Sequence, residues 1–167
     1  MVKFFSIVLI IMVSCSSGRQ MLELDTLDDS LKLNGCYVML TKTGWNYPYF
    51  IFKNGIIKTH GATKLSIDSM PYYLTDSSLK YDARYRSNFG IVKIFKDSIK
   101  VQLWPPGLRR PSIVEFGHVV SRVQFIIDQV CDVSSFGNLT NCEPRNDVYH
   151  FLHTDNKPDS INPFIER

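Results

Sequence analysis

The cysteines of this 167-residue chain are the first residues to consider, because thiols can bind metals, form disulfides or act as nucleophiles. The four cysteines are Cys15, Cys36, Cys131 and Cys142. No two of them have the C-x-x-C spacing that is typical of zinc ribbons and of thioredoxin-type redox sites. Their spacing therefore favours neither a structural zinc site nor a dithiol redox centre.

The four histidines give no metal-binding pattern either. His150 and His153 are three residues apart, which in a β-strand places them on opposite faces. The chain contains no H-E-x-x-H, no acidic calcium loop, no G-x-S-x-G and no glycine-rich phosphate loop. We therefore expect no metal, no cofactor and no enzymatic activity.

The residues before Cys15 predict an export signal. Lys3 is the only charge in residues 1–14, and residues 4–13 are almost wholly apolar. A positive start followed by a short apolar run is typical of a secretory signal. This run is about half of the roughly 20 residues that a membrane-spanning helix requires. We therefore predict a signal peptide over residues 1–14 and no permanent membrane span.

The segment Met12-Val13-Ser14-Cys15 resembles the lipobox of bacterial lipoproteins, in which an aliphatic residue and two small residues precede a cysteine. The resemblance implies that the Cys15 sulfur carries a diacylglycerol, that the signal is cleaved just before it, and that the new amino terminus is acylated, for example with palmitate. Each buried CH₂ contributes about 0.8 kcal/mol, so three acyl chains would anchor the protein durably in a membrane.

The residue after the lipidated cysteine bears on the location of the protein. Ser16 follows Cys15, where an aspartate would signal inner-membrane retention in enterobacterial relatives. The resemblance therefore implies a cell-envelope protein that is lipid-anchored in the outer membrane and faces the periplasm. We assign residues 15–30 to the lipidated cysteine with a polar tether, and residues 31–167 to a β-domain.

With Cys15 lipidated, three cysteines remain for other chemistry. Cys131 and Cys142 flank a ten-residue polar stretch between apolar segments, and a disulfide there would clamp a hairpin in an oxidising compartment. Cys36 lies in the apolar run NGCYVML and is interpreted as a buried free thiol.

The charge of the chain excludes one class of partner. The formal net charge is +3, and loss of Lys3 with the signal leaves +2. No run of five like charges occurs, so we expect no nucleic-acid partner. Removal of 14 residues from 167 leaves 153, enough for one domain with a sizeable core.

Strand patterns dominate the mature chain. Ile99, Val101 and Leu103 alternate with polar residues, which is typical of a sheet with one solvated face. The pair Asn54-Gly55 between apolar runs predicts a hairpin, because both residue types tolerate positive φ. Eight strands are predicted, at residues 35–41, 47–53, 56–61, 89–95, 98–104, 112–121, 123–130 and 147–153.

One segment, residues 74–87, has helical features. It opens with Thr75, Asp76 and Ser77, which are good N-cap residues, and we expect it to cover one end of the sheet.

Eight successive antiparallel strands favour an up-and-down barrel or a strongly curved sheet, with a β-sandwich as the alternative. The segments LNGCY, FKNG, FGIVKIFKDSIKVQLW and KPDS resemble small uncharacterised lipocalin-like lipoproteins of the Bacteroidota. Gly35-Cys36-Tyr37 stands where lipocalins usually carry Gly-x-Trp. The resemblance implies an all-β, lipocalin-like barrel over residues 33–153. An eight-stranded barrel can be filled by side chains or hold one small ligand.

The aromatic residues suggest where such a ligand could enter. Trp104 leads into the proline-stiffened segment PPGLRRP, in which Arg109 and Arg110 could meet an acidic head group at a barrel mouth. Ordinary barrel packing explains most of the other aromatic residues.

Two non-enzymatic functions remain open. The first is a binding module for an apolar or amphipathic small molecule, and the second is a structural or interaction protein of the envelope with a filled barrel. Five phenylalanines in the predicted strands favour a filled barrel if they face inward: Phe50, Phe52, Phe95, Phe116 and Phe125. The sequence does not decide which face each of them takes.

Overall fold

The computed structural model describes residues 20–40, 46–59, 89–104, 111–155 and 157, which form eight antiparallel strands. The strands are β1 (Gly35–Leu40), β2 (Asn46–Ile51), β3 (Ile56–Thr59), β4 (Phe89–Phe95), β5 (Ser98–Leu103), β6 (Ser112–Ser121), β7 (Gln124–Val133) and β8 (Leu139–His153). Each strand pairs with the next in the chain, and β8 also pairs with β1, which closes the barrel. The predicted all-β fold of eight antiparallel strands is therefore confirmed.

Strands β7 and β8 are longer than predicted. β7 continues to Val133, and β8 begins at Leu139 instead of residue 147. Residues 139–146 are all exposed, so they carry no apolar alternation that would mark them as a strand. Backbone pairing with β7 holds them in the sheet, which places both cysteines of the predicted disulfide within strands. The predicted helix over residues 74–87 lies outside the described residues.

The predicted hairpin at Asn54-Gly55 is present, with a longer turn than two residues. The Phe52 N–H donates to the Ile56 carbonyl at 2.9 Å, and the Gly55 N–H donates to the Phe52 carbonyl at 3.0 Å. Gly55 has φ of +76°, whereas Asn54 is not among the described residues with positive φ. One glycine therefore supplies the left-handed backbone conformation that the turn requires.

The barrel has two different ends. We call the end that carries the tight turns 53–55, 96–97 and 122–123 the turn end, where β1 also begins and β8 finishes. We call the opposite end the loop end, because the β1–β2, β3–β4, β5–β6 and β7–β8 connections join strands there. Of these four connections the structure describes residues 134–138 in full, and of the β5–β6 connection only Trp104 and Pro111.

Residues 20–26, the N-terminal strap, lie along the outside of the barrel from the loop end to the turn end. Near the loop end, Gln102 Oε1 accepts hydrogen bonds from the N–H groups of Met21 at 2.7 Å and Leu22 at 3.0 Å. At the turn end, the Leu27 N–H donates to the Lys53 carbonyl at 2.8 Å. The strap is therefore part of the folded domain.

The predicted boundary of the tether at residue 30 is corrected by this packing. Leu27 and Leu31 are 4% and 2% exposed and belong to the main core cluster. The Lys32 N–H donates to the Arg122 carbonyl at 2.8 Å, which ties the same segment to the β6–β7 turn. Leucines at this spacing close the turn end because their apolar side chains complete the barrel interior.

Candidate functional site

Stacked aromatic rings occupy the centre of the barrel. Tyr149 stacks on Tyr49 and on Phe125, with ring centroids 4.7 Å apart in both pairs. Tyr37 extends the column towards the turn end, 5.1 Å from Phe125 and 5.5 Å from Phe151. The exposed fractions of Tyr37, Tyr49, Phe125 and Tyr149 are all 5% or less. These four rings therefore fill the central and turn-end parts of the interior.

Partly exposed inward-facing residues lie towards both ends of the barrel. Residues that lie directly opposite each other in an antiparallel pair share a face of the sheet. Thr59 lies opposite Tyr49, Met39 opposite Tyr149, and Val130 opposite Glu115. By this rule the partly exposed inward-facing residues of the loop-end half are Met39, Thr59, Ile113, Val130, Asp132 and Asp147. Those of the turn-end half are Ile94, Val119 and Phe151. The fully buried rings therefore lie between these two groups.

Glu115 is the buried carboxyl group of this half of the barrel. It lies on β6 opposite Val101, whose side chain belongs to the core, and its own exposed fraction is 7%. The Tyr49 hydroxyl lies 3.2 Å from each carboxyl oxygen. A hydroxyl has one proton to donate, whereas an ionised carboxylate can accept about four hydrogen bonds. Among the described residues, Tyr49 is the hydrogen-bond partner that this carboxyl has, so acceptor capacity remains.

Burial governs the protonation of this pair. It raises the pKa of Glu115 from 4.5 to about 7, the hydrogen bond from Tyr49 lowers it, nearby Asp147 raises it and Arg145 lowers it. Burial also raises the pKa of Tyr49 well above 10, and the Glu115 carboxylate adds to that rise. Near neutral pH the carboxyl group therefore exchanges readily between its neutral and charged forms, while the tyrosine stays protonated.

The loop-end half of the barrel interior, with Glu115 and Tyr49 at its base, is the candidate site. Its inward-facing residues combine apolar and polar side chains: Met39, Ile113 and Val130 with Thr59, Asp132, Glu115 and Asp147. Ligand pockets generally combine an apolar lining with a few placed polar groups. The Glu115 carboxyl can accept a further hydrogen bond from a donor that reaches it.

Trp104 does not line this interior. It is 5% exposed and packs with Phe89 and Ile91 on the outer face of the barrel, against Leu22 and Leu24 of the strap. Val101 and Leu103 face inward on the same strand, so alternation directs Gln102 and Trp104 outward. The predicted contribution of Trp104 to a ligand mouth is corrected accordingly. Arg109 and Arg110, and also Cys15 and His60, lie outside the described residues, so their roles stay predictions.

The predicted disulfide between Cys131 and Cys142 is present and joins β7 to β8. Cys36 is a free thiol with no exposed surface, as interpreted from the sequence. Burial raises the pKa of Cys36 to about 12, and the Lys157 ammonium opposes that rise. This thiol is therefore a core side chain and not a nucleophile at neutral pH.

A shallow cleft of about 490 Å³ lies at the turn end, on the side of the barrel away from the candidate site. It is lined by Asp29, Leu31, Lys32, Leu33, Asn34, Lys53 and Arg122. The ammonium of Lys157 donates to the carbonyls of Leu33 and Ile51 beside it. The cleft is open to solvent and its cations are surface side chains, so it carries no ligand assignment.

Sequence reasoning missed Glu115, although a signal for it exists. In the predicted strand SIVEFGHVVS, Ile113 and Glu115 are two residues apart and so share a face. The strand alone does not show that this face is the inner one. In the closed barrel Ile113 packs against the core, and Glu115 follows it inward.

Over the described residues, no three histidine, cysteine, aspartate or glutamate side chains form a group that could hold a metal ion. The same part of the chain has no helix that is long and apolar enough to cross a membrane.

Comparison with known proteins assigns no family. No protein-family model, no curated protein and no solved structure matches this chain.

Proposed function

We propose that this protein is a lipid-anchored, non-enzymatic binding module of the cell envelope that holds an apolar or amphipathic small molecule. The binding site in this proposal is the loop-end half of the barrel interior. The observation that carries it is Glu115, a buried carboxyl inside the barrel whose hydrogen-bond partner among the described residues is Tyr49. A buried polar group costs stability unless it is hydrogen-bonded, so an additional donor brought by a ligand would be favoured there.

The chemistry of the chamber favours one class of ligand. Three carboxyl groups, those of Glu115, Asp132 and Asp147, face the interior by their strand pairing, together with the apolar side chains of Ile113 and Val130. An apolar chain that ends in an amine or a hydroxyl suits this lining, because either group donates to a carboxylate. An acidic head group would meet Arg109 and Arg110 only if those side chains overhang the loop end, and that remains a separate prediction.

The anchor and the compartment rest on two observations. The residues before Cys15 resemble a lipobox, and a Cys131–Cys142 disulfide fits export to an oxidising compartment. We propose that residues 1–14 are removed, that Cys15 is lipidated, and that the domain faces the periplasm from the outer membrane.

Native mass spectrometry tests the binding proposal. The sample is the chain from Ser16 onward, exported to an oxidising compartment and purified without detergent, so that the strap is retained. We expect a stoichiometric extra mass that reappears in an organic extract of the same sample. A bare chain that also fails to bind added dodecylamine, dodecanol and dodecanoate would contradict the proposal.

A matched variant tests the role of the carboxyl group. Glu115→Gln keeps the size of the side chain and its contact with Tyr49 but removes the charge. We expect this variant to lose affinity for dodecylamine and to keep its affinity for dodecanol. Equal loss for both probes would contradict a charge-specific role for Glu115.

The aromatic column favours a second candidate function. Three ring pairs with centroids 4.7–5.1 Å apart already occupy the barrel centre. If the loop-end half is filled as well, the domain acts as a structural or interaction protein that contacts other envelope proteins. A bare chain in the mass-spectrometric experiment, with no binding of any of the three probes, would favour this candidate.

A further inference from the structure

We infer that the loop end of the barrel, which carries the candidate site, faces the bilayer that carries the lipid on Cys15. This inference rests on the proposed lipid anchor. The partner is a lipid surface, and the contact side is the barrel end where the strap begins. A ligand could then pass between membrane and barrel interior over a short distance.

The strap begins beside the loop end of the barrel. Met21 and Leu22 are held by Gln102, the second-last residue of β5. Gln102 in turn donates to the hydroxyl of Ser112 at 3.2 Å, and Ser112 is the first residue of β6. The connection between β5 and β6 belongs to the loop end. The beginning of the strap is therefore fixed beside that end and not beside the turns.

The chain between the strap and the proposed anchor at Cys15 is short. Gln20 is five positions after Cys15, and a fully extended chain of that length reaches at most about 17 Å. From Gln102 to the turn end at Ser98 the strand runs about 13 Å. Gln102 is next to the last residue of β5, so the loop-end limit of that strand lies well within reach of the linker. The plane of the turn end is reached only by a nearly straight linker that runs back along the barrel.

The strap packs tightly against the outside of the barrel. Leu22 and Leu24 pack against the outer-face cluster of Phe89, Ile91 and Trp104. At the other end of the strap, the Asp25 backbone lies so close to Gly55 that a Cβ atom there would be 2.6 Å from the Asp25 carbonyl oxygen. The strap is thus held at both ends, so it does not peel away to lengthen the linker without loss of packing.

The test uses two exposed turn positions as a matched pair of reporters. Ser135 lies in the described turn of the loop end, and Asp97 lies in a turn of the turn end. An azide-bearing phenylalanine analogue at either position accepts a fluorophore without the use of cysteine chemistry. The full mature lipidated chain is reconstituted in phosphatidylethanolamine–phosphatidylglycerol vesicles that contain a quencher on the lipid head groups.

We expect a loss of emission from the label at Ser135 and retention of emission from the label at Asp97. Equal quenching, or stronger quenching at Asp97, overturns the inference. The second outcome would mean that the basic turn end, with Lys32, Lys53 and Arg122, faces the lipid head groups instead.

A linker variant tests the stated cause. Insertion of ten glycine and serine residues between Cys15 and Gln20 gives a flexible tether, for which we expect the two labels to approach equal quenching. An unchanged difference between the labels would overturn the short tether as the cause of the orientation.

A separate measurement tests whether the lipid anchor exists. The intact mass of the exported protein shows whether Cys15 carries a lipid. If it does not, the proposed anchor is wrong. A chain whose first residue is Cys15 can then be attached to the vesicles through a maleimide-linked diacyl lipid on that cysteine. The quenching comparison on that chain then supports or overturns the orientation by itself.

Discussion

The hydroxyl of Tyr49 lies 3.2 Å from both oxygens of the Glu115 carboxyl, at a site where Glu115 is only 7% exposed. The two residues are 66 positions apart in the sequence and meet because β2 and β6 face each other across the barrel. This contact makes a single proton on Glu115 important for stability and, in the proposed binding function, for ligand choice.

Stability should fall as the pH rises through the titration of Glu115. Its pKa is about 7 in the folded chain and 4.5 in the unfolded reference, so the folded state holds the proton more tightly. The resulting stabilisation is fully present below pH 4.5 and is lost as the pH approaches and passes 7, a change of roughly 3 kcal/mol. Urea unfolding across this pH range, compared with Glu115→Gln, measures the effect.

The Glu115→Gln variant should equal the native chain in stability at low pH and exceed it at pH 8. Glu23→Gln is the control, because Glu23 is an exposed carboxyl on the strap, outside the barrel. If the native chain and Glu115→Gln show the same pH dependence, Glu115 does not carry the raised pKa.

Removal of the disulfide should lower the free energy of unfolding without loss of the fold. Cys131 and Cys142 are 11 residues apart, and closing a loop of that size contributes about 3 kcal/mol in the chain-entropy view. The double variant Cys131→Ala, Cys142→Ala should therefore unfold at lower urea concentration. A reductant should shift the native chain similarly and leave the double variant unaffected, and a shift in both would contradict this account.

Replacement of Gln102 should lower the stability of the chain and loosen the strap. Its Oε1 accepts two backbone hydrogen bonds from the strap, and loss of a buried acceptor costs about 1–3 kcal/mol for each donor left unpaired. Gln102→Leu should lower stability and open Leu22 and Leu24 to cleavage by chymotrypsin. Ser112→Ala is the matched control, since it removes a partner of Gln102 but leaves the strap acceptor. Equal protease sensitivity of both variants would contradict the role given to Gln102.

Cys36 should not react with iodoacetamide in the folded chain at pH 8. The thiol has no exposed surface and burial raises its pKa to about 12, so little thiolate forms. After unfolding in urea the same residue should be alkylated fully, as read by mass spectrometry. Rapid alkylation of the folded chain would show that this part of the core opens.

The sequence by itself determined the number of strands and the position of one hairpin. Alternation in Ile99, Val101 and Leu103 and the Asn54-Gly55 turn are local signals, because neighbouring residues set strand pleat and turn conformation. The spacing of Cys131 and Cys142 was also informative, since both fall on paired strands of one hairpin.

The tertiary structure alone decided which faces are inside. Of the five phenylalanines that favoured a filled barrel, Phe125 lies in the core, and Phe50 and Phe52 belong to a second cluster. Phe116 is partly exposed opposite Lys100, and Phe95 is 75% exposed. A period of two separates two faces of a strand but does not say which one is inner when both are apolar. In β1, Cys36 and Val38 are as buried as Tyr37.

Contacts between distant residues also depended on barrel closure. The pairing of β1 with β8, the strap on Gln102 and the meeting of Tyr49 with Glu115 join positions 66 or more residues apart. Only the curvature and closure of the whole sheet bring such residues together, and no local pattern encodes their distance. The sequence thus determined the strands, whereas the closed barrel decided that a carboxyl group on β6 would be buried inside it.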